Sequence, residues 1–167
     1  MKYDKEILEE IKLKYWYWPD SGEFMKDPYS SWDDTNQPRL NSNGYWIINY
    51  KDKTYFVHKL IFYIMGFDIP DIVDHINLDK TNNRWTNLRA VDKRQNNTNQ
   101  PKRKDNTSGF KGVYFHKSHN KWMARISHHG KSKFLGYATT PEEAAIIYNE
   151  AVPLYHGEHG WRNIIGR

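Results

Sequence analysis

The chain contains no cysteine among its 167 residues. This absence excludes disulfides and every zinc site built on thiolates. No segment approaches the run of about 20 apolar residues that a membrane-spanning helix needs. The first ten residues, MKYDKEILEE, are amphipathic and acidic, unlike a secretory signal. These features predict a soluble protein of a reducing, cytoplasmic compartment that does not contact a membrane.

Apolar residues are scarce as well: they make up 38% of the chain, and the mean hydropathy is −0.94. The cores must therefore be small, in one ordinary domain or two small ones. An aromatic content of 16% nevertheless argues against disorder. Periodicity and turn signals predict a helix over 4–14, hairpins around 19–22 and 50–53, and a helix over 58–65 that ends at Gly66.

Charge is concentrated in one region. Residues 101–135 carry nine Lys and Arg and one Asp, for +8, whereas residues 1–100 carry −1 and residues 136–167 carry −2, which sum to the net +5. Aromatic residues are interleaved with these cations, as on surfaces that bind polyanions. A solvated basic face is the alternative. The density of charge favours nucleic acid.

The stretch from 73 to 99 is the most informative. Asp74 and His75 end an apolar segment, Asn87 follows His75 by twelve residues, and Asn96 follows Asn87 by nine. The loop between them is too polar for a packed core. A strand, a polar loop, a short strand at 87–91 and a polar helix are predicted in this order.

The pattern D-H-I-N-x-D-K-T-N-N-x-W-x-N-L-R followed by Q-N-N-x-N resembles the HNH nuclease motif, in the version found in phage homing endonucleases. The resemblance covers about 40–100. It implies a ββα-metal (His-Me finger) fold with its core at about 70–99, a divalent ion, Mg²⁺ or Mn²⁺, and double-stranded DNA as substrate. It also implies that the protein works in the cytoplasm of a phage-infected bacterial cell.

The resemblance assigns a role to each polar position. Asp74 and Asn96 would hold the metal, because Mg²⁺ prefers oxygen ligands. His75 would be the general base, since an ordinary histidine is mostly neutral at cellular pH. Asn87 would hold the loop so that His75 is oriented. Asn96 stands where some family members carry His. Because neighbouring strand residues point to opposite faces, Asp74 and His75 can share a site only at a strand end.

A polar, basic linker at 100–107 leads into a second pattern. Strands are predicted at Gly112–Phe115, Trp122–Ser127 and Lys133–Tyr137, and a helix is predicted to begin after Thr140 with Pro141 in its first turn. This segment, about 108–164, resembles the Apetala-type (ethylene-response-factor) DNA-binding domain, which also occurs fused to HNH nucleases. The resemblance implies a three-stranded antiparallel sheet in the major groove, packed on one helix, which Pro153 is expected to interrupt early.

The predicted DNA contacts combine both modules and the linker. They are Arg89, Arg94, Lys102, Arg103, Lys104, Lys111, Tyr114, His116, Trp122, Arg125, Lys131 and Lys133. The family usually has Arg where Tyr114 and His116 stand, so base preference does not transfer. A place in the core of the domain explains Trp122 as well as a contact with DNA does. His58 and the three histidine pairs at 116/119, 128/129 and 156/159 are interpreted as structural or surface residues, and no structural zinc is expected.

The sequence therefore predicts an α+β protein with an HNH nuclease domain at 1–99, a basic linker at 100–107 and an Apetala-type domain at 108–167. The predicted function is that of a site-specific, metal-dependent homing endonuclease, monomeric and without an obligate protein partner. A single ββα site favours nicking over double-strand cleavage. The alternatives are a non-catalytic DNA-binding regulator on an inactive HNH scaffold and a restriction or defence nuclease of the same chemistry.

Overall fold

The computed structural model describes residues 3–29 and 36–166. The chain divides into two compact units, residues 1–92 and 93–167, and each combines helices with antiparallel strands, so the α+β class is confirmed. The boundary lies at Asp92 rather than at Asn99, because the helix that follows Asp92 makes its contacts with the second unit. Within the described residues, no helix has the length and apolar character needed to cross a membrane.

Among its described residues, the first unit contains two α-helices and seven short strands. They are α1 (Lys5–Lys14), β1 (Tyr15–Tyr17), β2 (Phe24–Lys26), β3 (Arg39–Leu40), β4 (Trp46–Tyr50), β5 (Lys53–Phe56), α2 (Val57–Ile64), β6 (Ile72–His75) and β7 (Leu88–Val91). Three antiparallel groups form: β1 with β2, β3-β4-β5, and β6 with β7. The helices and hairpins predicted for this region lie where the sequence pattern places them.

The core of this unit lies between the two helices and the β3-β4-β5 sheet. Asp4 caps α1 by accepting a hydrogen bond from the Glu6 backbone N–H at 3.0 Å, and the apolar side of that helix buries Leu8 and Ile11. Helix α2 buries Leu60 and Ile61 against the same cluster. This apolar body supports the β6–β7 hairpin, which contributes Leu88 to the core.

The second unit contains α3 (Lys93–Thr98), β8 (Val113–His116), β9 (Lys121–His128), β10 (Lys131–Ala138) and α4 (Pro141–His156). The strands form an antiparallel sheet in the order β10-β9-β8. Thr140 and Glu143 form a capping box at the start of α4. The expected interruption at Pro153 is wrong, because α4 continues to His156. Proline so near the C-terminal end removes one hydrogen bond without ending the helix.

Small residues let α4 lie close to the sheet. Ala144 and Ala145 pack against Val113 and Ala124 in one buried cluster. Gly112 is required at its position: its φ is +76°, and a Cβ there would lie 2.3 Å from the ring of Tyr148. One side of the sheet is thus covered by the helix.

Candidate active site and nucleic-acid surface

The β6–β7 hairpin places Asp74 opposite Arg89. Arg89 donates two hydrogen bonds to the same carboxylate oxygen, Oδ2 of Asp74, from Nη2 at 2.7 Å and from Nε at 3.0 Å. Asp74 is 5% exposed, and the side chain of Arg89 is 16% exposed. Arg89 was predicted to contact DNA. The structure instead gives its guanidinium a partner inside the protein, which compensates the buried carboxylate.

His75 is the last residue of β6, so the predicted strand-end arrangement of Asp74 and His75 is present. Its Nε2 lies 3.1 Å from Oδ1 of Asn83, and both side chains are buried. A neutral His75 that donates from Nε2 to this oxygen carries its basic lone pair on Nδ1. Burial lowers the pKa of His75, although the hydrogen bond with Asn83 acts in the opposite direction. The neutral form, which a base requires, is favoured.

Aromatic and imidazole rings surround His75. The ring of His58 lies edge-on with its centroid 5.3 Å from that of His75, and Tyr45 lies 5.1 Å from His58 and 6.1 Å from His75. His58 is buried at the first turn of α2, and burial lowers its pKa to about 3. The structural role predicted for His58 agrees with this burial, and its ring forms one wall behind His75.

Asn87 fixes the loop between β6 and β7. Its Oδ1 accepts a hydrogen bond from the Asn77 backbone N–H at 3.0 Å, and its Nδ2 donates to the Asn82 carbonyl at 2.7 Å. The amide therefore holds both ends of the segment 77–82. The bond that reaches His75 itself comes from Asn83, one residue beyond that segment.

Asn83 is in turn held by the β1–β2 hairpin. The hydroxyl of Tyr17 donates to the Asn83 carbonyl at 2.8 Å, and the Trp85 backbone N–H donates to the Pro19 carbonyl at 3.0 Å. Gly22, with φ +79°, approaches so closely that a Cβ would lie 2.5 Å from the Arg84 backbone nitrogen. An N-terminal hairpin far away in sequence thus positions the residue that orients His75.

Two site residues were missed by sequence reasoning, Asn83 and Lys80. The Nζ of Lys80 donates to the Asn43 carbonyl at 3.1 Å and lies 4.6 Å from the centroid of the Tyr45 ring, and its charge acts to lower the pKa of His75. The run D-K-T-N-N contains both residues. Its composition gave no sign of which of its side chains face His75.

The remaining predicted residues belong to the second unit. Asn96 and Arg94 lie on α3, with Arg94 exposed, and Lys102, Arg103 and Lys104 are exposed in the segment that follows. The assignment of Asn96 as a metal ligand stays a prediction.

Lys111 is engaged inside the second unit. Its Nζ donates to the carbonyls of Thr98 at 2.9 Å and of Gln100 at 2.5 Å, and burial lowers its pKa to about 8. These bonds fix the chain at the end of α3, and the contact of Lys111 with DNA stays a prediction.

Strand register divides the other predicted contacts between two faces. Val113, Ala124 and Ile126 are buried in clusters with α4, so the alternate residues Tyr114, His116 and Arg125 lie on the opposite face. On the helix side lie Trp122, which packs against the core, and the exposed Lys131 and Lys133 at the β10 edge, which pair with His128 and Ile126. These predicted contacts therefore do not share one surface.

Among the predicted metal ligands, the first unit supplies Asp74, a carboxylate at a strand end beside the imidazole of His75. Oδ2 of this carboxylate accepts both bonds from Arg89, so a hard divalent ion would share or displace them. Mg²⁺ commonly takes one or two carboxylates and completes its shell with water and substrate phosphate. Within the described residues, no three His, Cys, Asp or Glu side chains cluster as a protein-only metal cage would require. A site completed by the substrate is consistent with this donor set.

Comparison with protein families gives one match. Residues 55–98, or 44 of the 167, match the family model described as HNH endonuclease. The span begins in β5 and extends through α2, the β6–β7 hairpin and α3, and it includes Asp74, His75, Asn87 and Asn96. The match supports an HNH nuclease, a hydrolase whose substrate is DNA. No curated protein and no solved structure matches the chain.

Proposed function

We propose that the protein is a metal-dependent DNA endonuclease in which His75 is the general base. The observation that carries this proposal is the buried hydrogen bond between His75 and Asn83, at a strand end beside Asp74 and inside the span matched by the nuclease family. A hydrolytic base must be neutral and held in one orientation. Burial favours the first property, and Asn83 supplies the second.

Each residue near the proposed base would have a distinct role in the reaction. Nδ1 of His75 takes the proton from a water molecule, while the Nε2 bond to Asn83 stabilises the imidazolium that forms. Lys80 lies beside the site and places a cation near the phosphodiester. Asp74 would hold Mg²⁺ or Mn²⁺, and the motif resemblance alone adds Asn96 as a second ligand. When bound, such an ion stabilises charge on the phosphate and on the leaving oxygen.

The second unit would deliver this site to its target. The exposed cations of the segment after α3, Lys102, Arg103 and Lys104, are suited to contact with a phosphate backbone. We further propose a monomeric, site-specific homing endonuclease of phage type, acting in an infected bacterial cell and nicking one strand. The two sequence resemblances support these finer points.

A plasmid-relaxation assay tests the proposal. The plasmid carries DNA that flanks the gene, and the wild-type protein is incubated with Mg²⁺, Mn²⁺ or EDTA. We expect metal-dependent nicking that His75→Ala reduces by at least about a hundredfold. His129→Asn, which removes an imidazole from an exposed turn of the second unit, is the matched control and should nick normally. If neither metal supports cleavage while DNA binding persists, the proposed nuclease activity is refuted.

One observation favours a second candidate, a DNA-binding regulator without activity. The carboxylate that should hold the metal already accepts two bonds from Arg89. If this ion pair persists, it competes with a metal ion for Asp74. Titration with Mn²⁺ distinguishes the candidates: the nuclease should bind the ion in the presence of DNA and lose that binding in Asp74→Asn, whereas the regulator should show no dependence on Asp74.

A further inference from the structure

The sheet of the second unit has an outer face, which we define as Tyr114, Met123, Arg125, Phe134 and Tyr137. Tyr114, Met123 and Tyr137 stand side by side across the three strands, and Phe134 pairs with Arg125 in the neighbouring row. Because α4 covers the alternate residues, these five side chains point away from the helix. The outer face is therefore built mainly of rings.

The rings are exposed and grouped. Tyr114 is 54% exposed, Phe134 53% and Tyr137 36%. The centroid of the Tyr137 ring lies 4.9 Å from that of Phe134 and 4.9 Å from that of His119, on which it stacks with an angle of 16° between the planes. None of the three exposed rings belongs to either core cluster of the unit. A grouped, exposed set of rings of this kind marks a binding surface.

The surroundings of the outer face select an anionic partner. Residues 101–135 carry +8. Lys121 and Arg125, on the same side of the sheet as the rings, are exposed, and no described acidic side chain pairs with either of them. Rings flanked by unpaired cations suit a polymer that offers both flat bases and phosphates.

The chemistry of the face distinguishes single strands from duplexes. Base edges in a major groove are read by Arg, Lys, Asn and Gln, which donate and accept in fixed patterns. On this side of the sheet such groups are Arg125 and Lys121, which stand beside the rings of Tyr114, Phe134 and Tyr137. Flat rings instead stack on bases, and a base offers its face only where it is unpaired.

We propose that the outer face binds unpaired DNA, with bases stacked on Tyr114, Phe134 and Tyr137 and with Lys121 and Arg125 beside the phosphates. This inference rests on the proposed role of the second unit in DNA binding. It specifies unpaired DNA, rather than a duplex major groove, as the form that the sheet binds. The sheet would hold a strand that is locally opened, while the first unit cleaves the duplex.

The test is fluorescence anisotropy with the full-length protein in EDTA, so that cleavage cannot occur. The probes are a labelled oligonucleotide of about 16 nucleotides, single-stranded or in a blunt duplex. We expect tighter binding of the single strand. Tyr137→Ala and Phe134→Ala should each weaken that binding by about tenfold and leave duplex binding unchanged. The fluorescence of a single strand that contains 2-aminopurine should be quenched by the wild-type protein and quenched less by Tyr137→Ala.

Two controls separate stacking from misfolding. Tyr137→Phe keeps the ring and should bind as the wild type does. Leu154→Ala, at an exposed apolar position on α4, should also leave affinity unchanged. If the duplex binds as tightly as the single strand and Tyr137→Ala weakens both equally, the face is a major-groove reader and the inference is wrong. Unchanged single-strand affinity in both ring variants would also overturn it. Neither outcome affects the proposed nuclease, which the metal-dependent assay tests separately.

Discussion

Charged side chains are used in opposite ways in the two units. In the first unit, Asp74 and Arg89 are withdrawn from solvent and bonded to each other, and His75 is bonded to Asn83. In the second unit, Lys121, Arg125, Lys131 and Lys133 are exposed without acidic partners in the described chain. Chemistry requires groups held in one orientation, whereas binding to a polyanion requires cations that remain available.

The same contrast holds for rings. In the first unit, Tyr45 and His58 pack around His75 and form a wall beside its ring. In the second unit, Tyr114, Phe134 and Tyr137 stand on an uncovered sheet face. Burial tunes the pKa of a reactive group, and exposure leaves a ring face free to stack. Four changes test whether the buried network of the first unit behaves as this comparison requires.

The largest effect is expected for Arg89→Ala. It leaves the carboxylate of Asp74 buried without its guanidinium, so the free energy of unfolding of the first unit should fall by about 3 kcal/mol. The matched control is Lys51→Ala, which breaks the exposed pair with Glu10 and should cause no measurable loss. Urea unfolding, followed by hydrogen exchange in β6, measures both. Equal effects of the two variants would contradict a buried site.

Gly22→Ala should follow in size. At φ +79° an added Cβ meets the backbone of Asn83 and Arg84 at 2.5 to 2.8 Å, so the hairpin must move away from the loop. We expect a loss of about 2 kcal/mol, together with slower cleavage because Asn83 shifts. Gly44→Ala has the same φ and open space around it, and it should cost less and leave cleavage intact. Equal cleavage by the two variants would contradict the positioning role of the β1–β2 hairpin.

Asn83→Ala should lower the rate of cleavage by about tenfold, which corresponds to the loss of one hydrogen bond to the general base, His75. Nε2 of His75 would lose its acceptor, and the ring would no longer be held. Thr86→Ala, at an exposed position three residues on, is the control. Single-turnover nicking rates measure the difference. An unchanged rate in Asn83→Ala would mean that another group orients His75.

The effect that is smallest near neutral pH concerns His58. Its pKa is about 3 in the folded protein, below the ordinary value of 6.5, so the unfolded chain binds the proton more readily. This contribution to stability is complete above pH 6.5 and is lost on acidification toward pH 3, by at most about 1.4 kcal/mol per pH unit. His58→Phe should reduce this slope in urea titrations between pH 7 and 5. The same slope in the variant would show that other groups set the acid sensitivity of the first unit.

Some features followed from sequence because they depend on local chemistry. The helix that Asp4 caps, the β1–β2 and β4–β5 hairpins and the helix after Thr140 are fixed by periodicity and by capping and turn residues. The polar pattern from Asp74 to Asn96 identified the nuclease motif that the family match supports. Asn87 was predicted to hold the loop, and its side-chain amide bonds both ends of the segment 77–82.

Other features depended on which distant segments meet. The role of Asn83 requires the β1–β2 hairpin to hold its loop, as the bond from Tyr17, 66 residues earlier in the chain, illustrates. Arg89 and Lys111 have the composition of DNA contacts, and only the folded chain brings them to Asp74 and to the end of α3. Strand register, which a pattern of cations does not specify, divided the predicted sheet contacts between two faces.

The sequence by itself determined the α+β class, the nuclease motif and the concentration of positive charge, because spacing and composition are local properties. The tertiary structure decided which amide orients His75, which cations are paired and which rings are exposed. These outcomes are set by burial and by strand register. Both arise only when segments far apart in the chain pack together.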